Sequence, residues 1–311
     1  MKLSIITTMY CSAAYVNEFY LRITEEAKKI TDDYEIIFIN DGSPDRSLNL
    51  ALEIYEKDDK VKVVDFSRNF GHHKALMTGL SLATGEMIFI IDIDLEEPPE
   101  LLGIYYKRLI EEPDCDVVYG MQTARKGKLF EKVTGDLAYR IINVLSGLDM
   151  PRNYSLSRLM TRRYVRSLVQ YREQELYIGG LWYLTGYKQV SVPIIKKSRG
   201  ISTYSLGKKI DLFITAVTSM SSKLLVYIFI CGLIVTFISC LAILYTVISW
   251  FASGQTVPGW TSILVTLLFL GGLIILFLGI IGFYISKMYI ETKDRPYTII
   301  RAIYDENMRV K

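Results

Sequence analysis

The chain has 311 residues, with 36 basic and 33 acidic side chains, a net charge of +3 and four cysteines. The length suits one large or two ordinary domains, and no basic patch interleaved with aromatics points to a nucleic-acid partner. Cys11, Cys115, Cys231 and Cys240 lack ligand-like spacing and suggest neither a disulfide framework nor a zinc site.

The opening "MKLSIITTMY" is too short, and too polar downstream, for a signal peptide. Apolar runs at Lys2–Met9, Glu35–Ile39, Val61–Phe66, Glu86–Ile91 and Asp116–Tyr119 predict strands. They are nearly continuous in apolar residues, as in strands covered on both faces. Helices are predicted between them at about 15–30, 45–57, 72–83 and 98–111, the last begun by Pro98 and Pro99. This alternation implies an α/β layer with a mostly parallel sheet. Further on, helices are predicted over 130–148 and 158–171, both rich in basic residues, and a strand over 187–197. Residues 198–223 start polar and become an amphipathic helix of the kind that lies on lipid.

No charged residue occurs from Leu224 to Ser286. About 20 apolar residues cross a bilayer, so two transmembrane helices are predicted, at about 224–250 and 261–286. "ASGQTVPGW" forms the hairpin tip, flanked by Trp250 and Trp260. Lys208, Lys209 and Lys223 precede the pair, and Lys287, Lys293, Arg295 and Arg301 follow it. That bias puts the N-terminal domain and both termini in the cytoplasm. A buried soluble hairpin would need a dry sheath around both helices. Gly271, Gly272, Gly279 and Gly282 permit close helix packing, within the hairpin or in a homo-oligomer.

In open α/β sheets ligands bind outside the carboxyl ends of the strands. Here those ends carry Thr8 and Tyr10, "NDGSPD" (40–45), "SRNFGHH" (67–73), and Asp92 with Asp94. Carboxylates at i and i+2 of an extended segment share a side, so Asp92 and Asp94 face one ligand while Ile93 faces protein. Glu96 continues the alternation if the chain stays extended. Such a cluster repels itself and needs a cation or full solvation. Mg²⁺ is held by one or two carboxylates plus substrate phosphates, which suits a nucleoside diphosphate. Glu97 and Glu100 belong to the helix start, where negative charge is favourable. In "HHK" (72–74) one histidine is read as beginning the helix and the other as packed or solvated, with a phosphate clamp as the alternative.

The elements "FINDGSPDRS", "SRNFGHHKALMTGL" and "IIDIDLEEPPELL" together resemble the family 2 glycosyltransferases with a GT-A fold. The apolar helices and the tail "YIETKDRPYTII" (289–300) are similar to the polyprenyl-phosphate glycosyltransferase branch. That branch includes dolichol-phosphate mannose synthases and bacterial enzymes that load glucose onto undecaprenyl phosphate. The resemblance implies an α/β GT-A catalytic domain over 1–200, a juxtamembrane helix over 201–223, two membrane helices within 224–286 and a cytoplasmic tail over 287–311. It implies nucleotide contacts from Tyr10, Asp41 and Asp92, and catalytic and metal roles for Asp92 and Asp94, with Glu96 completing the metal set. Arg125, Lys132 and Arg199 would hold the acceptor phosphate, and Ser202 and Tyr204 lie in an active-site loop. The chain departs from the family pattern at Thr8, Ser12, Gln122 and Leu156.

The function implied is inverting transfer, dependent on Mg²⁺ or Mn²⁺, of a sugar from a nucleotide-sugar donor to a polyprenyl phosphate at the inner membrane. A lipid phosphate is already anionic near neutral pH and needs no general base. A sugar hydroxyl needs one, which Leu156 cannot be, although Asp136 or Glu173 could serve. The alternatives are transfer to a lipid-linked saccharide and a non-catalytic membrane-anchored binding protein. A dehydrogenase is excluded, because no G-x-G-x-x-G follows the first strand.

Overall fold

The computed structural model describes residues 1–123, 140, 143–145, 147, 150–151, 153–174, 177–196, 223–253 and 259–305. Its centre is a run of parallel strands: β1 (Leu3–Met9), β2 (Tyr34–Asn40), β3 (Val61–Phe66) and β4 (Met87–Ile90). Every residue of β1 and β2 is buried, which explains their largely apolar character. β5 (Val117–Gln122), β6 (Tyr154–Thr161), β7 (Gln189–Ile194) and β8 (Ile300–Tyr304) complete one eight-stranded sheet in the order β7-β5-β6-β4-β1-β2-β3-β8. β6 runs antiparallel to both β4 and β5, and β8 antiparallel to β3.

Helices cover both faces. On one lie α1 (Val16–Lys28), α2 (Ser47–Tyr55) and α4 (Leu101–Glu111). Val16, Phe19, Ile23 and Ala27 of α1 recur at helical spacing and are fully buried. On the other lie α3 (His72–Leu82), α5 (Arg162–Leu168) and α6 (Ile178–Leu184). Burying each such aliphatic or aromatic side chain contributes about 1.5–3 kcal/mol, so these two apolar layers hold the sheet between them.

The basic helix expected over 158–171 is half strand. Arg158 to Thr161 end β6, and the helix begins only at Arg162, where the Thr161 side chain accepts from the Tyr164 amide. Leu159 and Met160 point into opposite layers, and only a strand allows that. α4 starts at Leu101. Pro98 and Pro99 form the turn before it, accepting from the amides of Leu101 and Leu102. The helix expected over 130–148 and the segment 198–223 fall almost wholly outside the described residues.

Two long apolar helices follow, α7 (Lys223–Ser253) and α8 (Trp260–Thr292). Among the described residues one segment, Phe269–Thr292, is long and apolar enough to cross a membrane, and Leu225–Ile238 is a shorter apolar stretch. A Cβ on Gly271, Gly272, Gly279 or Gly282 would meet no described atom within 4 Å.

The tail returns to the sheet. The Gln174 amide donates to Glu291 near the end of α8, and the Gln174 side chain donates to the Arg295 carbonyl. Thr298 bonds Thr78 of α3, and β8 then pairs with β3. Arg301 reaches Asp65 (3.2 Å), which also accepts from Asn40, the last residue of β2.

Candidate active site

The loops that leave the carboxyl ends of β1, β2, β3 and β4 meet at one edge. The β2 loop is organised by Asp45. One of its oxygens accepts from the hydroxyls of Ser43 and Ser47 and the Ser47 amide, and the other accepts from the Ala13 amide. Burial would raise the Asp45 pKa, but these donors outweigh it and hold the group at about 2. The β1 loop is bound to the same knot. Cys11 and Ser12 donate their amides to Ser43 and Ser47. Ser12, one departure from the family pattern, is therefore part of the joint between the two loops.

Asp41 is 3 % exposed. Its carboxylate accepts from the amides of Phe70 (2.7 Å) and Gly71 (3.0 Å) in the β3 loop. Burial raises its pKa, and the two amides only partly offset this. Gly42 beside it has φ of +60°, and a Cβ there would lie 2.4 Å from the Arg68 carbonyl carbon. The β2 and β3 loops thus touch backbone to backbone, which only glycine permits. Tyr10 stands more than half exposed at the mouth of this edge.

β4 ends at Ile90, earlier than the alternation argument requires. Ile93 is buried in the core, as expected, but Leu95 takes a left-handed φ of +59° and the chain turns. Asp94 accepts from the Glu96 amide (3.0 Å) and closes that turn. Glu96 therefore does not continue an extended row. Its carboxylate faces Lys196, just past β7, at 3.3 Å. Among the described residues no three His, Cys, Asp or Glu side chains gather into a group that could hold a metal ion. Asp92, Asp94 and Glu96 are accordingly not a preformed three-ligand cage.

Glu97 also departs from expectation. It does not flank the helix but is 1 % exposed. One oxygen accepts from the Ser157 amide (3.1 Å), and the other lies 3.4 Å from Lys196. The β5–β6 register shifts between Tyr119 and Met121, opposite Arg158 and Tyr154, so Ser157 falls in the irregular stretch and Glu97 takes its amide. Glu100, immediately before α4, pairs with Arg22 of α1.

Asp92 carries the sharpest electrostatic signal. Burial, then the negative charges of Glu97, Asp94 and Glu96, push its carboxyl up to about 8, with Lys196 opposing. Asp92, Asp94, Glu96 and Glu97 thus place several carboxylates close together at this edge. That donor chemistry fits a hard divalent ion held by one or two carboxylates together with substrate phosphates.

His72 opens α3 and enters the site. Its Nδ1 is 2.9 Å from the Thr8 hydroxyl, and its Nε2 is 3.5 Å from Asp92. Burial lowers its pKa, against the pull of Asp41 and Asp94. Thr8, another departure from the family pattern, is therefore the partner of a histidine. Leu156 packs against the apolar layer of α3, α5 and α6. The pKa of Glu173 is raised by burial and by Glu291 of α8. Arg125, Lys132, Asp136, Arg199, Ser202 and Tyr204 lie outside the described residues. Sequence reasoning missed Asp45, Glu97 and Lys196 and left His72 undecided. The doubled lysine after the alternating strand "QVSVPI" was the available signal for Lys196.

Residues 4–170 match the family described as glycosyl transferase family 2. The chain is 45% identical over 311 residues to a glycosyltransferase-named protein of Mycobacterium tuberculosis (strain CDC 1551 / Oshkosh), covering 100% of this chain and 91% of that protein. It is 32% identical over 309 residues to the bactoprenol glucosyl transferase of Shigella phage SfX, covering 97% of this chain and 99% of that protein. Its fold resembles that of glucosyl-3-phosphoglycerate synthase from Mycobacterium tuberculosis, crystallised with Mn²⁺, uridine diphosphate and phosphoglyceric acid. The TM-score is 0.50 at 18% identity, over 70% of this chain and 76% of that one. At that identity the likeness is one of fold.

Proposed function

Because the chain belongs to glycosyltransferase family 2, we propose that this glycosyltransferase moves a sugar from a nucleotide-sugar donor onto a polyprenyl phosphate at a membrane surface, inverting the anomeric carbon. The observation that carries the reading is the acidic edge at Asp92 and Asp94, on a sheet whose last strand is the continuation of an apolar helix. The relative named a bactoprenol glucosyl transferase, similar over nearly its whole length, supports the same acceptor class.

The topology supports two membrane crossings. The chain leaves the sheet after β7 and rejoins it at β8, so it crosses a bilayer an even number of times in between. With Phe269–Thr292 as one crossing, α7 supplies the other. Lys223, Lys287, Lys293, Arg295 and Arg301 favour a cytoplasmic catalytic domain by the positive-inside bias.

In this reading Tyr10 and Asp41 line the nucleotide end of the edge, with Asp41 acting through the loop it holds. Asp92 and Asp94, with Glu96 beside them, would hold Mg²⁺ or Mn²⁺, which would neutralise the diphosphate as it leaves. An oxygen of the lipid phosphate forms the new bond to the anomeric carbon. The bond to the donor's β-phosphate breaks, and the nucleoside diphosphate departs with the electron pair. The acceptor phosphate carries its charge near neutral pH, so the apolar Leu156 at the family's acidic position is no handicap. Arg125, Lys132 and Arg199 are proposed to hold that phosphate, with Ser202 and Tyr204 in the loop above it.

The test is a transfer assay. Purified protein receives undecaprenyl phosphate, Mg²⁺ or Mn²⁺, and a panel of UDP-, GDP- and dTDP-sugars, and products are read by mass spectrometry. A lipid-phosphate sugar with one donor is the expected result. Its absence with every donor, alongside transfer to a lipid-linked saccharide, would overturn the proposed acceptor.

A further inference from the structure

Lys196 forms ion pairs with two carboxylates of the acidic edge. Its ammonium lies 3.3 Å from Glu96 and 3.4 Å from Glu97. Glu97 cannot follow it, because the carboxylate is fully enclosed and pinned by the Ser157 amide. Lys196 can move: its side chain is 29% exposed, and it stands on a four-carbon stem two residues past the end of β7. The carboxylates do not form a three-ligand metal group in this arrangement, and Lys196 occupies the space beside two of them.

We propose that Lys196 is a built-in counter-ion that occupies the acidic edge of the donor-free enzyme and competes with the divalent cation for it. The inference rests on the proposed cation-assisted transfer. A divalent ion arriving alone must displace a paired ammonium and binds weakly. An ion arriving with a nucleoside diphosphate brings negative oxygens that receive the displaced ammonium, so the exchange conserves charge pairing. The edge therefore selects the metal–nucleotide complex over the free metal. The same exchange turns Lys196 from the carboxylates toward the diphosphate.

The direct test is Mn²⁺ binding to the full-length protein in detergent, followed by loss of the free-ion electron paramagnetic resonance signal. Without nucleotide, Lys196→Met is expected to bind Mn²⁺ roughly tenfold more tightly than wild type, because one nearby positive charge is gone. Lys196→Arg, which keeps the charge, is expected to stay near wild type. Equal or weaker Mn²⁺ binding by Lys196→Met would overturn the proposal and leave Lys196 as a structural partner of Glu97. A wild type that takes up no Mn²⁺ with UDP, GDP or dTDP present would overturn the cation reading itself, a distinguishable failure. The unaltered protein supplies a second readout if Lys196→Met folds poorly. Acetic anhydride labelling of Lys196, read by peptide mass spectrometry, is expected to quicken when Mn²⁺ is added alone at a concentration that saturates the wild-type site. No change in labelling would contradict the exchange.

Discussion

Gly42→Ala tests whether the donor pocket depends on contact between the β2 and β3 loops. A Cβ at this position would sit 2.4 Å from the Arg68 carbonyl carbon and 2.5 Å from the Asn69 nitrogen. Both are backbone atoms, so no side chain can swing aside. Ordinary carbon contacts lie about 3.5–4.0 Å apart, so the loops must separate by roughly 1 Å. That separation stretches the Asp41 bonds to the Phe70 and Gly71 amides, now 2.7 and 3.0 Å, to beyond hydrogen-bond length. An alanine at φ of +60° adds about 1–2 kcal/mol. Bonds to a charged acceptor are worth about 1.5–3 kcal/mol each, but the burial that raises the Asp41 pKa cancels part of this. The net loss is on the order of 3 kcal/mol, or roughly 100-fold in kcat/KM. The assay is steady-state transfer with donor and acceptor varied in turn. The loss should appear as a raised donor KM, with the acceptor KM little changed. A Gly42→Ala enzyme with wild-type donor KM would refute the argument that this contact shapes the donor site.

Two further outcomes concern the frame that holds the site. Glu35 is buried, yet the Ser4 hydroxyl, the Thr84 amide and hydroxyl, and Lys62 outweigh burial and lower its pKa to about 2. The folded value lies below the unfolded one, so the stabilisation, on the order of 3 kcal/mol, is complete above pH 4.5 and fades as pH falls toward 2. Glu35→Gln should lower the apparent unfolding midpoint near neutral pH and differ much less from wild type at about pH 3; a gap that does not shrink with acid would contradict the assignment. A stop after Asp294 removes β8 and bares the β3 edge. Amide exchange in Val61–Phe66 should then quicken, whereas unchanged protection would mean that the tail does not hold the sheet.

The sheet, and the edge at which its loops converge, were largely legible in the sequence. Strands buried on both faces leave mostly apolar runs, and β1 to β4 show this. β6 was concealed by its continuation, because "RRYVRSL" has helical spacing and the eye extends it backward through "RLMT". β8 was missed for a different reason. Its partner β3 lies far back in the chain, and nothing local in "IRAIY" announces the pairing. The site shows the same division. Asp41, Asp92 and Asp94 lie at strand ends, where position and spacing in the sequence already point to them. Lys196 and Glu97 meet across about 100 residues, a contact that no window of sequence reveals. Thr8 and Ser12 looked like losses from a family pattern, but each has a partner in the fold, His72 for one and Ser47 for the other.

The central claim is that Asp92 and Asp94 form the catalytic edge of a sugar transfer to lipid phosphate. The most direct measurement compares wild type with Asp94→Ala, using undecaprenyl phosphate and the donor that the panel identifies, with mass spectrometry of the lipid product. Asp94→Ala should fold and insert normally, as judged by its melting curve and detergent extraction, and yield no lipid-phosphate sugar. Product formation by Asp94→Ala at the wild-type rate would contradict the claim.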